Sequence, residues 1–230
     1  REAYHLGMTR IFLPELDAAF ETAQNNPHHC YTVGEHMMHC MLYTEPDKSM
    51  RIAALLHDIG KPVTKTTDEQ GIDHFHGHAG VGEEMAARIL RRLKFDNDTI
   101  THVRKLVKYH DYPIETTPRA VRRAINTIGE TYFSDVLAIK KADMMAQSTY
   151  QRQEKEDHLA QVEALYQQIL EQNQCVSLKS LALTGNDLIA LGIPKGKEIG
   201  IVLNELLEDV IAQPEHNNRE YLIQLVQKHA

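Results

Sequence analysis

Four ionisable side chains, His36, His57, His110 and Asp143, fall on the apolar faces of segments whose hydrophobic residues recur at helical spacing. In a helix, positions three, four and seven apart share a face. His110 therefore lies with Val103, Leu106 and Val107, Asp143 with Val136 and Ile139, His57 with Ala53 and Ala54, and His36 with Val33. A carboxylate buried without a partner is strongly disfavoured, and a buried imidazole must have its ring nitrogens satisfied. Any fold that turns these faces inward has to supply what the four groups need. A separate backbone or water contact for each is one solution. A shared divalent cation is another.

The helical period runs through almost the whole chain. Thr32 is an N-cap for a helix over 33–43, and Asp47 for "DKSMRIAALLHDIG", which Gly60 and Pro62 end. Helices follow at 79–94, 98–110, 118–128, 131–147 and 153–173, then near 185–191, 196–211 and 217–229. The stretch "VTKTTDEQGIDHFHGH" interrupts the pattern with β-branched residues and a Gln-Gly turn, and reads as a loop or short hairpin near 63–76. The expected class is all-α, with a main helical bundle followed by a smaller C-terminal helical segment.

No apolar run approaches the roughly 18 residues of a membrane span, and the N-terminus lacks a signal-peptide pattern. Cys30, Cys40 and Cys175 are few and unpatterned, which points to a reducing, cytoplasmic setting rather than a disulfide framework. A net charge of −7 gives no global attraction to nucleic acid, so such binding would need local basic patches. "RAVRRAI" offers Arg119, Arg122 and Arg123, and "PKGK" offers Lys195 and Lys197, as candidates for RNA or phosphate. Ten of the 14 histidines lie between His28 and His110. Among them His78 precedes a helix in the glycine-rich "HFHGHAGVGEEM", where spacing alone does not choose it over His74 or His76.

The order His36, His57-Asp58, His78, His110 and Asp143, with "HDIGK" at residues 57–61, resembles the HD superfamily of metal-dependent phosphohydrolases. The resemblance implies that His36, His57, Asp58 and Asp143 hold one divalent ion. It also implies that His78 and His110, with Asp58 bridging, hold a second where two are bound, and that Lys61 approaches a substrate phosphate. Asp58 and Lys61 would then be the catalytic residues. Mixed imidazole and carboxylate ligation favours Mn, Fe, Co or Ni over Mg. Two such ions clamp the attacking and leaving oxygens of a phosphoester.

A narrower resemblance lies outside this core. "TRIFLPEL", "QNNPHHCYTVGEHMMH", "TPRAVRRAINTIGETYFSDVLAIKKAD" and "LTGNDLIALGIPKGKEIGIVLNELLEDVIAQPEHNNREYL" are similar to the C-terminal region of bacterial tRNA nucleotidyltransferases of the CCA-adding and poly(A) polymerase family. This divides the chain into a lead-in (1–30), an HD phosphohydrolase domain (31–150) and a helical body and tail segment (151–230). The family's nucleotide-adding head, with its Gly-Gly-Ser-type loop and paired carboxylates, is missing from the sequence. The chain therefore reads as a C-terminal fragment that does not add nucleotides. The function implied is hydrolysis of nucleotide or RNA 3′-end phosphoesters, such as 2′,3′-cyclic or 2′-phosphates, with tRNA as a candidate partner. The alternatives are a tRNA-binding module whose HD residues serve structure, and a standalone HD nucleotide phosphohydrolase.

Overall fold

The structure is a computed structural model that describes residues 1–229. It is all-α apart from one small hairpin, as the periodicity implies. Short helices α1 (Glu2–His5), α2 (Thr9–Phe12) and α3 (Pro14–Phe20) occupy the lead-in. They are followed by α4 (Val33–Cys40), α5 (Lys48–Leu56) and α6 (Lys61–Thr64). Strands β1 (Thr66–Thr67) and β2 (Asp73–His74) pair antiparallel, with Thr66 opposite His74 and Thr67 opposite Asp73. Next come α7 (His78–Arg92), α8 (Asn97–Tyr109), α9 (Pro118–Ile128), α10 (Glu130–Ala146) and α11 (Arg152–Glu171). The chain continues with α12 (Gly185–Ala190), α13 (Lys197–Ala212) and α14 (Arg219–His229).

Helix starts follow their caps. The Thr32 side chain accepts from the Glu35 amide, Asp47 from Met50, Asp96 from Thr99 and Thr117 from Ala120. Each satisfies an amide left orphaned by the first turn and stabilises its helix by about 1 kcal/mol. Among the boundaries that differ from expectation, one shapes the centre. The helix capped by Asp47 ends at Leu56, ahead of Gly60, and Pro62 lies in the first turn of α6, where its missing N–H is not needed. The sharp turn so created carries His57 and Asp58.

The chain divides into two compact units, Arg1–Pro113 with Tyr132–Leu159, and Ile114–Thr131 with the residues from Ala160 onward. In the first, α7 packs along α8, α5 against α8, and α4 against α5. Its core includes Val33, Met37, Ala53, Leu56, Val103, Leu106, Phe133, Val136 and Ile139, all buried. The apolar positions that share faces with His36, His57, His110 and Asp143 are thus the ones that build this core. In the second unit, Leu183, Leu188, Leu206, Val210, Ile211 and Leu222 form a separate cluster. Among the described residues no helix is long and apolar enough to cross a membrane.

Two glycines place the turn against α7. A Cβ on Gly60 would collide with the His78 carbonyl and stand 2.8 Å from the Gly82 amide, so only glycine permits this approach. Gly77, with φ +76°, takes the left-handed conformation that starts α7 at His78. The hairpin is tied to the loop before α4, because Asp73 accepts from the Asn25 amide and from Thr67 Oγ1, both at 2.7 Å.

Candidate metal centre

His36 lies within α4, His57 and Asp58 follow α5, His78 opens α7, His110 ends α8, and Asp143 lies in α10. The fold brings all of them together. His36 Nε2 is 2.8 Å from Asp143 Oδ1 and 3.2 Å from His57 Nε2. His57 Nε2 is 3.2 Å from Asp58 Oδ2. On the other side of the same carboxylate, Asp58 Oδ1 is 3.3 Å from His78 Nε2 and 3.5 Å from His110 Nε2. These two imidazole nitrogens are themselves 3.2 Å apart. His36, His57, Asp58 and His110 are buried, and the Asp143 side chain remains 17% exposed.

The orientation of three histidines is fixed by the backbone. Nδ1 of His57 lies 2.9 Å from the Ala54 carbonyl, that of His78 2.9 Å from Phe75, and that of His110 2.8 Å from Val107. A carbonyl can only accept, so Nδ1 carries a proton in each ring and Nε2 is the nitrogen that faces the centre, free to bind a cation once it is unprotonated. Lone pairs of His78 and His110 facing each other at such a distance repel unless a proton or a cation lies between them. This donor set fits a divalent metal ion: imidazole nitrogens oriented by outer hydrogen bonds, with carboxylates beside them. Among the described residues, three groupings of donors are close enough to serve: His36, His57 and Asp143; His57, Asp58 and His110; His78, His110 and Asp111.

Electrostatics agree. Burial lowers the His57 pKa, but the facing carboxylates of Asp58 and Asp143 outweigh it and hold it at about 10. Burial would raise Asp58, yet His57 and Lys61 keep it well below the usual carboxylate range. Asp143 is held low in the same way by His36 and His57. The carboxylates demand positive charge, which protons on histidine supply when no cation does.

Lys61, in the first turn of α6, points inward rather than into solvent. It is buried, with Nζ 2.7 Å from Asp58 Oδ2 and 2.9 Å from Gln24 Oε1. His74 and His76 stack on each other, and His74 pairs with Asp68 at 2.8 Å, so His78 is the member of that run at the centre. The basic candidates separate. Arg119, Lys195 and Lys197 are exposed. Arg122, expected to face RNA, is instead buried, donating to the Ile211 carbonyl at 2.7 Å and to Gln174 Oε1 at 2.8 Å. Its guanidinium completes the carbonyl end of α13, which the spacing of the arginines could not reveal. Arg123 is paired with Glu208.

Several residues at the centre have no motif in the sequence. Gln147 Nε2 donates to both oxygens of Asp143 at 3.2 Å, and Lys155 Nζ donates to Gln147 Oε1 at 2.7 Å. Asp111 Oδ2 is 3.7 Å from His78 Nε2. His29, edge-on to His36, is held at a pKa of about 3 by burial and by the charges of Lys61 and His36, and is therefore neutral. Only the i+4 spacing of Asp143 and Gln147 on one helix could have pointed to that contact.

A family model described as tRNA nucleotidyltransferase domain 2 matches residues 63–226. The chain belongs to this tRNA nucleotidyltransferase family. The matched span takes in His78, His110 and Asp143 and starts after Asp58. The chain is similar to the CC-adding tRNA nucleotidyltransferase of Thermus thermophilus, 31% identical over 210 residues that cover 88% of this chain and 46% of that protein. It is also similar to the A-adding tRNA nucleotidyltransferase of Deinococcus radiodurans, 31% identical over 209 residues, 88% of this chain and 48% of that protein. The chain thus spans about half the length of the curated relatives it matches.

Proposed function

We propose that this chain carries a divalent-metal phosphohydrolase centre of the HD type within a tRNA nucleotidyltransferase-type protein. Its substrates on this reading are nucleotide or RNA 3′-end phosphoesters, such as 2′,3′-cyclic or 2′-phosphates. One observation carries the proposal. Asp58 presents one oxygen to His36 and His57 and the other to His78 and His110, so a single carboxylate can serve two adjacent ions. His36, His57, Asp58 and Asp143 would hold one ion, and His78 and His110 with Asp58 the other. Divalent ions bound there supply Lewis-acid polarisation of a phosphoryl oxygen and a lowered pKa for water.

The protein's own groups do the rest. The backbone carbonyls of Ala54, Phe75 and Val107 hold the imidazoles in one tautomer. Lys61 places a fixed positive charge beside Asp58, where it can stabilise charge developing on a phosphoryl group. The buried surroundings of Met37, Ile59 and Val107 exclude bulk water and strengthen these interactions. tRNA is the partner supported by the family, with exposed Arg119, Lys195 and Lys197 available for its phosphates.

The test is to measure bound metal in the purified protein and assay 2′,3′-cyclic and 2′-phosphate esters with Mn, Ni, Co, Fe and Mg. Turnover that disappears in Asp58→Ala is expected. No turnover with any metal, together with no metal bound, would overturn the reading in favour of a tRNA-binding body whose HD residues are structural.

A further inference from the structure

Side chains of α8 and α10 meet along a path that leads to the centre. His102 meets Asp135 at 2.7 Å, and further along Lys140 Nζ donates to the His110 carbonyl at 2.9 Å. Along this pair lies a row of half-buried rings that none of the centre's chemistry uses. Lys105 Nζ sits 6.0 Å from the centroid of Tyr132 and 5.4 Å from that of Tyr109. Tyr109 in turn meets Tyr112 edge to face, with centroids 5.8 Å apart. Tyr109 and Tyr112 flank His110 and Asp111 in sequence, so the row ends where the centre begins.

The charges along the row are uneven. Glu83 is held by Arg104 at 2.9 Å and by Lys108 at 3.2 Å, and Asp135 by His102. Lys105 has no carboxylate partner among the described residues, and only ring faces stabilise its charge. Lys108 Nζ also lies 5.7 Å from the Tyr109 centroid, so two ammonium groups border that ring on a chain of net charge −7. Neighbouring aromatic rings with a cation between them can hold single-stranded nucleic acid: bases stack on the rings while the cation meets the phosphate.

We propose that Tyr132, Lys105, Tyr109 and Tyr112 form a stacking track for a single-stranded RNA end and lead its terminal phosphoester to the His and Asp centre. The inference rests on the phosphohydrolase reading for its direction, but binding along the track needs neither metal nor turnover. The track reads no sequence, because every base presents a ring face. It selects an unpaired end over a duplex, whose bases are already stacked.

The experiment uses the full chain and a short oligoribonucleotide carrying 5-iodouridine, in EDTA and at low salt. Photocrosslinks are expected at Tyr109, Tyr112 or Tyr132. Tyr109→Leu and Tyr132→Leu should each weaken binding on the order of tenfold, while Tyr109→Phe keeps it. Lys105→Gln should lower the slope of log affinity against log salt by roughly 0.7. Tyr43→Leu, at an exposed tyrosine outside the row, should bind like the parent. Crosslinks elsewhere, leucine variants that bind normally, or no binding at low salt would overturn the track. The crosslink is read on the unsubstituted chain, so it decides even where a variant fails to fold. Phosphoester turnover without crosslinks here would remove the track and leave the phosphohydrolase reading standing. Crosslinks here without any turnover would do the reverse.

Discussion

Lys61 holds its ammonium 2.7 Å from Oδ2 of Asp58, with both side chains buried. This is the oxygen that also faces His57, so the lysine sits where positive charge is most needed. Removing one partner of a buried pair strands the other, at a cost of roughly 3–5 kcal/mol. Lys61→Met should therefore destabilise the metal-free protein strongly and the metal-loaded protein less, because a bound cation takes over the charge. Thermal melts with and without Mn check this. The rise in Tm on adding metal should be larger in the variant than in the parent, and equal rises would show that the ammonium does not stand in for a cation.

Asp58 and Asp143 should differ in how many ions they govern. Asp58 faces both groups of histidines, whereas the histidines within reach of Asp143 Oδ1 among the described residues are His36 and His57. Asp58→Ala is expected to abolish binding of both ions. Asp143→Ala should remove one and leave the site of His78 and His110 able to bind, and His110→Ala should do the converse. Elemental analysis after equilibration with Mn gives the stoichiometries, and identical losses in all three variants would argue for a single shared ion.

Gln147 fixes the Asp143 carboxylate from behind. The bond from Lys155 to its Oε1 determines which end of the amide points where, leaving Nε2 to donate to Asp143. Outer partners of this kind typically alter metal affinity about 10–100-fold. Gln147→Leu should weaken metal binding by that order, measured by competition with a chelator. Gln147→Glu should perturb it differently, since it sets a second negative charge beside Asp143. Unchanged affinity in the leucine variant would make the contact incidental.

Helical periodicity revealed most of this fold because the core is built from the same i, i+3 and i+4 stripes that the spacing displays. Val103, Leu106 and Val107 are buried together with His110, as one helical face requires. What the sequence could not show were contacts made by single side chains across the structure. The burial of Arg122 depends on where α13 ends, and nothing in "RAVRRAI" encodes that. The bond from Lys61 to Gln24, 37 positions earlier, is likewise not encoded in the "HDIGK" run. That His78, rather than His74 or His76, stands beside His110 depends on backbone geometry, since the left-handed Gly77 starts α7 at that residue.

Acid should loosen the hairpin. Bonds from Lys65, the Asn25 amide and Thr67 hold the Asp73 carboxyl at about 2. Because this lies below the ordinary value near 3.9, the contribution of Asp73 is fully present above about pH 4 and is lost as pH falls through about 2. Urea unfolding of the parent and of Asp73→Asn at pH 5, 3 and 2 should show the gap between them narrowing as pH drops. A gap independent of pH would mean that the carboxylate's charge contributes nothing there.

Gly60 should control one half of the centre more than the other. Its hydrogen lies against the start of α7, where a Cβ would stand 2.8 Å from the Gly82 amide and collide with the His78 carbonyl. Backbone cannot yield as a side chain end can, so in Gly60→Ala the first turn of α7 has to retreat and take His78 with it. Overpacking of this sort costs about 1–3 kcal/mol. The larger effect is expected in metal binding at His78 and His110, with the site of His36, His57 and Asp143 less disturbed. Gly80 is the control: a Cβ there meets nothing within 4 Å, and in a helix the change to alanine stabilises by up to about 1 kcal/mol. Metal titration and thermal melts of the two alanine variants separate the cases. If Gly60→Ala binds both ions as the parent does, the close approach of the "HDIG" turn to α7 is not what positions His78.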